Sequence, residues 1–183
     1  MELLDESTPS CPMTQAIHIR EATPDDLPAI AKVHVLSWKQ SFVGIVPDAF
    51  LDQLTIENRI EAFGKRFGEP HYQMYVAELG DVGVIGFADV GDPRYDVGEY
   101  DAELYAIYLF HQFQGKGIGA LLFERIKQFL IEQEKNTMYL LALEVSPYRP
   151  FYEKMGGKLV GERPVKLMDI DFNAVVYGWE SLS

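Results

Sequence analysis

The sequence predicts a mixed α/β fold, in which a central sheet is flanked by helices. Two observations support this class. Short runs of branched and aromatic residues, typical of strands, alternate with longer segments whose apolar residues recur at helical spacing. Hydrophobic residues also make up 48% of the 183-residue chain, which suits one globular domain that buries a core.

The predicted elements follow one another without a repeat or a low-complexity linker. Thr23 precedes a proline and two aspartates, which is the pattern of a capped helix start, and Thr55 caps a later helix. The turn 80–83, with two glycines, connects two strands of a hairpin. In order, the sequence predicts a strand at 17–20, a helix from 24 to a break at 44–47, helices at 48–54 and 56–67, strands at 72–78, 84–90 and 103–109, a helix at 120–133, a strand at 138–145, a helix at 150–155, and strands at 158–163 and 172–180.

We expect residues 1–15 to form a disordered tail that precedes a single domain of residues 16–183. The tail carries Asp5 and Glu6 without a positively charged start, which argues against a secretory signal. The one cysteine, Cys11, cannot build a disulfide framework, and this favours a reducing cytoplasm. No apolar run approaches the ~20 residues that span a bilayer.

The chain is acidic, with a formal net charge of −12 and a pI of about 4.7. Nucleic acid and anionic membranes are therefore poor candidate partners, because a basic patch supplies most of the affinity for either. A cationic substrate such as an amine would be attracted, although acidity is also common among cytoplasmic proteins. No His, Cys, Asp or Glu spacing indicates a metal site.

The segment Gln114-Gly115-Lys116-Gly117-Ile118-Gly119 lies between a predicted strand and a predicted helix. Its alternate glycines remove side chains from a helix N-terminus, where several backbone N–H groups lack intrahelical partners. These amides and the positive end of the helix dipole favour a phosphate or a pyrophosphate. We call this segment the glycine loop, and it predicts a phosphorylated cofactor.

Three phosphate-binding patterns compete for the glycine loop. A Walker-type loop is excluded because no Ser or Thr follows the lysine. A dinucleotide fingerprint is closer, since residues 115–120 fit G-x-G-x-x-A and Glu144 follows some distance later. Residues 110–113 nevertheless separate the strand from the glycines, and the preceding chain does not repeat βαβ units. The third pattern, Q-x-x-G-x-G, is the signature of the GNAT superfamily of N-acetyltransferases.

The resemblance to the GNAT superfamily extends from residue 17 to the end of the chain, with its motifs in the family's order. Segment 103–109 resembles the bulged strand that leads into the family's cofactor loop. Segment 146–156 resembles the motif N-x-x-A-x-x-F-Y-E-x-x-G, and 17–27 resembles a typical family start. Segment 38–51 is similar to a common bacterial branch whose acceptors are mostly unassigned.

The resemblance implies a fold and a reaction. The implied fold has a mixed, mostly antiparallel sheet that splays open between strands 4 and 5. The implied reaction transfers acetyl from acetyl-CoA directly to a primary amine of a small molecule or peptide, in a ternary complex and without a metal. Because the only cysteine is in the tail, no acyl-enzyme is expected. A homodimer is left open.

The resemblance also implies the residues that hold the cofactor. The glycine loop would bind the pyrophosphate through its amides, and the strand before it would pair with the pantetheine arm, with the Leu109 amide toward the thioester carbonyl. Ser146 stands where the family usually has Asn, with a shorter reach toward the cofactor arm. The full set is Ile107, Tyr108, Leu109, Gln114, Gly115, Lys116, Gly117, Ile118, Gly119, Ala120, Ser146 and Phe151.

Two residues are implied to be catalytic. Tyr152 matches the tyrosine that protonates the departing CoA sulfur, and Glu103 matches the glutamate that serves as general base in the histone-acetylating branch. A water chain could replace Glu103 as the base. The competing interpretations are that Tyr152 is an aromatic residue packed beneath a short helix and that Glu103 is a charge at the outer end of a strand.

Four aromatic residues are candidates for the acceptor site. His34 and Trp38 lie one helical turn apart, Phe42 follows them, and Tyr105 shares a strand face with Glu103. A histidine on an apolar face is more often a core residue. Two alternative functions also stay open: a catalytically silent CoA-binding sensor and a dinucleotide-dependent oxidoreductase.

Overall fold

The computed structural model describes residues 16–183, so the predicted tail with Cys11 lies outside the described residues. The strands are β1 (Ile17–Glu21), β2 (Gln73–Leu79), β3 (Gly83–Gly91), β4 (Ala102–Leu109), β5 (Met138–Leu143), β6 (Lys158–Leu167) and β7 (Ile170–Trp179). They form a seven-stranded sheet in the order β1-β2-β3-β4-β5-β7-β6. The predicted α/β class is therefore confirmed.

Five α-helices accompany the sheet in the described part of the chain. They are α1 (Leu27–Ser41), α2 (Asp48–Gln53), α3 (Ile56–Gly64), α4 (Ile118–Glu132) and α5 (Arg149–Lys154). Both predicted helix starts are capped: the Asp26 carboxylate accepts the Thr23 N–H at 2.8 Å, and Thr55 Oγ1 accepts the Asn58 N–H at 3.2 Å.

The sheet opens between β4 and β5, as the resemblance implied. This parallel pair is joined only at Ala102 with Met138 and at Glu103 with Tyr139, whereas every other neighbouring pair is antiparallel. Beyond Glu103 the two strands continue without pairing to each other. Their facing edges therefore leave backbone groups available to a ligand.

A bulge in β4 lies just before this opening. Asp89 on β3 pairs with Ala106, but the next residue, Val90, pairs with Leu104. Tyr105 is thus the extra residue of β4, and such a residue changes the direction in which neighbouring side chains point.

Alternate residues of the sheet face two different helix layers. Met74 and Val76 on β2 pack with α1 and α3, while Tyr75 and Ala77 pack with α4. A third cluster, built around Trp38, joins α1 and α2 to the β5–β7 side of the opening. The helices thereby fix both sides of the gap.

The element boundaries differ from the sequence prediction at a few places. Helix α3 ends at Gly64 rather than at 67, and a turn leads to Gly68, whose φ of +87° cannot continue a helix. Helix α4 begins at Ile118, two residues earlier than expected, because Gly117 is its N-cap. Strands β6 and β7 are longer than predicted and are joined by a tight hairpin.

Candidate active site

Two cavities meet at the opening between β4 and β5. The first, of about 490 Å³, is lined by aromatic side chains of α1, α2, α3 and β4 together with residues of β5 and β6, and we call it the aromatic cavity. The second, of about 430 Å³, lies between the glycine loop and α5, and we call it the loop cavity. They share four lining residues: Ile107, Tyr108, Tyr148 and Tyr152.

The glycine loop borders the loop cavity with its backbone. Gly115 and Gly117 have φ values of +72° and +83°, and a Cβ at either position would meet no atom of residues 16–183 within 4 Å. Glycine is required here for its conformation, since no neighbour limits the space. The volume above these residues is open to a ligand.

Helix α4 presents unpaired amides toward that space. Its first intrahelical bond runs from the Leu121 N–H to the Gly117 carbonyl, at 3.2 Å, so the preceding amides have no helical acceptor. Ile118 is buried and the Lys116 side chain is exposed beside the Phe113 ring, so each borders the loop mainly through its backbone. Anions are favoured at such a terminus.

The third glycine of the loop, Gly119, is required for packing between two helices. A Cβ at Gly119 would lie 3.2 and 3.3 Å from ring atoms of Phe151. Gly119 therefore lets α5 approach α4, and the Phe151 ring and Ala120 become part of the loop cavity wall.

Gln114 borders the loop cavity, but its side-chain amide is already engaged. It donates to the Leu109 carbonyl at 3.2 Å and to the Tyr148 hydroxyl at 3.1 Å. Ser37 also donates to the Leu109 carbonyl, at 3.0 Å. Gln114 thus holds the end of β4 in place and also holds the side chain of Tyr148, which lines both cavities.

The backbone of β4 has an edge that faces the opening. The Phe110 N–H donates to Ile85 on β3, at 3.0 Å. Successive backbone groups of a strand point to opposite edges, so the amides of Ile107 and Leu109 point away from β3 and toward the splayed side. This is the edge that the predicted pairing with a pantetheine arm requires.

Tyr152 stands where the two cavities meet. Its ring packs against Phe151 and Tyr177, and no hydrogen bond joins its hydroxyl to another residue of the described range. Burial, with a smaller contribution from Tyr148, raises the pKa of this hydroxyl well above its ordinary value. The group stays protonated at neutral pH and can donate.

Tyr148 was not singled out from the sequence, although it lines both cavities. Its hydroxyl is hydrogen-bonded to Ser41 and to Gln114. Ser146 lines the aromatic cavity, but its Oγ accepts the Tyr148 N–H at 3.2 Å and so stabilises the turn before α5.

All four predicted acceptor-site residues line the aromatic cavity, namely His34, Trp38, Phe42 and Tyr105. Trp38 stacks on Phe42 with ring centroids 4.5 Å apart. Desolvation, and to a lesser extent the nearby Arg59, lower the pKa of His34 to about 3. A neutral His34 therefore belongs to the aromatic wall at physiological pH.

Glu103 has surroundings that the sequence did not indicate. It is fully buried, and its carboxylate accepts from three Arg94 groups and from the Tyr139 hydroxyl. The shortest contact, from Arg94 Nη2, is 2.6 Å. Arg94 lines the aromatic cavity, whereas Glu103 lies behind it. The structure thus brings Tyr152 and Tyr105 to one cavity, but not Glu103.

Asp89 is the carboxylate that lines the aromatic cavity. It is fully buried; Oδ2 accepts the Tyr72 hydroxyl at 3.0 Å, and Oδ1 has no partner in the described part of the chain. Burial raises its pKa to about 6, against the opposing effect of Arg66. An acid within the apolar strand 84–90 is the sequence signal that could have identified it.

Residues 16–183 contain no group of three or more His, Cys, Asp or Glu that could hold a metal ion. None of the helices in this range is both long and apolar enough to cross a membrane.

A sheet that opens beside a glycine-bordered helix start fits an acyltransferase that uses a CoA thioester. The chain belongs to the acetyltransferase (GNAT) family, whose model matches residues 35–157. It is thus an acetyl-CoA-dependent acyltransferase. This membership favours the third of the three interpretations of the glycine loop.

Individual relatives agree with this assignment. The chain is 31% identical over 167 residues to the uncharacterized N-acetyltransferase YuaI of Bacillus subtilis, covering 91% of this chain and 95% of the relative. Its fold is similar to that of the PaiA N-acetyltransferase from Thermoplasma acidophilum in complex with coenzyme A (20% identity, 87% and 98% coverage, TM-score 0.64). The fold is also similar to that of YncA, a putative acetyltransferase from Salmonella typhimurium with its cofactor acetyl-CoA (20% identity, 92% of this chain and 95% of that chain covered, TM-score 0.67).

Proposed function

We propose that this protein transfers acetyl from acetyl-CoA directly to a primary amine of a small molecule or peptide, in a ternary complex. The observation that carries the proposal is the meeting of the loop cavity and the aromatic cavity at Tyr152. One cavity holds the thioester and the other the amine, so the reacting atoms are brought together without a covalent enzyme intermediate. Residues 16–183 act as one N-acetyltransferase domain.

The loop cavity holds the cofactor. The amides from Gly115 to Ala120 bind the pyrophosphate, and the exposed edge of β4 pairs with the pantetheine arm. The Leu109 amide donates to the thioester carbonyl as negative charge develops on its oxygen. The occurrence of CoA and acetyl-CoA in the two solved relatives supports this assignment.

The proton steps use groups on the aromatic cavity. The amine nitrogen attacks the thioester carbon, the carbon–sulfur bond breaks, and Tyr152 donates its proton to the leaving sulfur. A pKa held high by burial keeps Tyr152 protonated until then.

A primary ammonium must lose one proton before the attack and a second as the amide forms, and the second proton replaces the one that Tyr152 gave to sulfur. We assign the first proton to Asp89, because it lines the aromatic cavity and its Oδ1 has no partner among residues 16–183, whereas the oxygens of Glu103 are occupied by Arg94 and Tyr139. A pKa of about 6 leaves Asp89 ionised at pH 7 and close to the best value for a base. In this scheme Glu103 positions Arg94, and its predicted role as base requires that ion pair to open.

The reaction is expected to take place in the cytoplasm, on a small amine or a peptide, as a monomer or a homodimer. Release of CoA from acetyl-CoA, followed with a thiol reagent, tests the proposal on a panel of polyamines, amino acids, aminoglycosides and peptides. Turnover of one amine that Tyr152→Phe slows supports it. Tight binding of acetyl-CoA without turnover on any amine would instead indicate a silent sensor.

A further inference from the structure

The aromatic cavity is cationic, although the chain as a whole carries a net charge of −12. Among residues 16–183, its charged lining residues are Arg59, Arg66, Arg94, Lys166 and one carboxylate, Asp89. A cavity that received only a cationic amine would be expected to show the opposite balance, because like charges repel.

Within the part of the chain that the structure describes, three of these cations have an ion-pair partner and one does not. Arg94 is paired with Glu103 at 2.6 Å, Arg66 lies 3.8 Å from Asp89, and Lys166 lies 3.8 Å from Asp171. Arg59 forms no ion pair or side-chain hydrogen bond within residues 16–183, and its Nε is buried without an acceptor. An unpaired, half-buried guanidinium is costly, so a ligand anion is the natural partner.

The helix that carries Arg59 directs it toward the cavity. Arg59, Ala62, Phe63 and Arg66 all line the cavity, and their spacing of three, four and seven residues defines one face of α3 and the turn after it. Desolvation, together with the neighbouring charge of Arg66, lowers the pKa of Arg59. A bound anion would relieve both effects.

We propose that the acceptor amine also carries a carboxylate, which Arg59 binds, so that the substrate class is an apolar or aromatic α-amino acid. The inference rests on the proposed function, since it names the acceptor of that site. The amino group belongs beside Asp89 and Tyr152, and the aromatic walls formed by Trp38 and Phe63 suit an apolar side chain. A volume of about 490 Å³ accommodates such a molecule.

A binding experiment tests the carboxylate independently of turnover. N-acetyl-L-phenylalanine and N-acetyl-L-phenylalaninamide, which differ only in that charge, are titrated calorimetrically into the full chain saturated with CoA. Saturation keeps the carboxylate from competing for the pyrophosphate seat. We expect the acid to bind at least about 10-fold more tightly, the range of a hydrogen bond to a charged group.

Variants identify the residue. Arg59→Gln is expected to reduce the preference for the acid to less than about 3-fold, Arg59→Lys to restore part of it, and Lys166→Gln, which removes a cation already paired, to preserve it. An unchanged CoA affinity shows that each variant is folded. Equal binding of acid and amide to the wild-type protein, no binding of either, or a preference that survives Arg59→Gln would overturn the inference.

Turnover separates the two proposals. The same thiol assay compares L-phenylalanine, L-leucine and L-methionine with their carboxamides. A higher kcat/KM for the acids, lost in Arg59→Gln through KM, supports the inference. Equal or faster turnover of the carboxamides overturns it and leaves the acetyltransferase function intact. Failure of every amine, together with selective binding of the N-acetyl acid, refutes the proposed function but upholds the carboxylate site.

Discussion

Replacing Gly117 tests how the glycine loop holds the cofactor. Gly117 caps α4 with a φ of +83°, and a Cβ there would meet no atom of the described residues within 4 Å. Gly117→Ala and Gly117→Glu therefore share one cost, the left-handed backbone of a non-glycine residue, about 1–2 kcal/mol of unfolding free energy. Only the glutamate adds a negative charge to the open space above the loop.

The difference between the two variants can be worked out from this geometry. Two like charges about 4 Å apart near a protein surface repel by roughly 4 kcal/mol, and solvent reduces this value. A pyrophosphate seated on the loop should therefore lose about 2–4 kcal/mol of binding free energy in Gly117→Glu. The corresponding increase in Kd is about 30- to 1,000-fold relative to Gly117→Ala.

Calorimetric titration with CoA measures both affinities, and urea unfolding measures both stabilities. We expect the two variants to lose equal stability and unequal affinity for CoA. A Kd for Gly117→Glu within threefold of that for Gly117→Ala would show that the phosphates bind elsewhere, and the assignment of the glycine loop would be wrong.

Four further predictions concern the reaction, the buried carboxylate and the packing beneath the glycine loop. Tyr152→Phe should lower kcat by about 10- to 100-fold with little change in the Kd of acetyl-CoA. Tyr148→Phe removes a hydroxyl that is already hydrogen-bonded and should lower kcat far less. Equal losses of kcat in the two variants would contradict the role of Tyr152 as the acid. In a plot of kcat against pH, the limb near pH 6 should vanish in Asp89→Asn and persist in Glu103→Gln, and the reverse result would return the base role to Glu103. Burial raises the pKa of Asp89 to about 6, so the folded protein is favoured while this carboxyl is protonated and becomes less stable as the pH rises from about 4 to 6. In urea unfolding, the free energy of unfolding of the wild-type protein should therefore fall by roughly 1–2 kcal/mol more between pH 5 and pH 7.5 than that of Asp89→Asn. Gly119→Val should cost about 1–3 kcal/mol of stability, since even its Cβ would lie 3.2 Å from a packed ring, and an unaltered unfolding midpoint would contradict this account.

The sequence predicted the fold well because its signals are local. The caps at Thr23 and Thr55 and the break before Pro47 depend on neighbours within a few residues, and all of them appear in the structure. The opening between β4 and β5 followed from a resemblance carried by motifs that are likewise short and contiguous.

The candidate site was predictable only in part. The backbone role of Gly115 and Gly117 could be anticipated because residues without a side chain readily adopt the positive φ found at both positions. The engagement of Gln114 with Leu109 and Tyr148 could not, since it depends on how the end of β4 meets α5.

The sequence by itself therefore determined the order of the elements, the glycine loop and the candidate acid Tyr152. Each of these follows from a motif of a few consecutive residues. Tertiary structure alone decided which charges meet. It paired Glu103 with Arg94, placed Asp89 on the cavity wall and gave Arg59 no partner among the described residues, because strand register and helix docking bring together residues far apart in the chain. The chemistry of the acceptor site depends on those long-range neighbours.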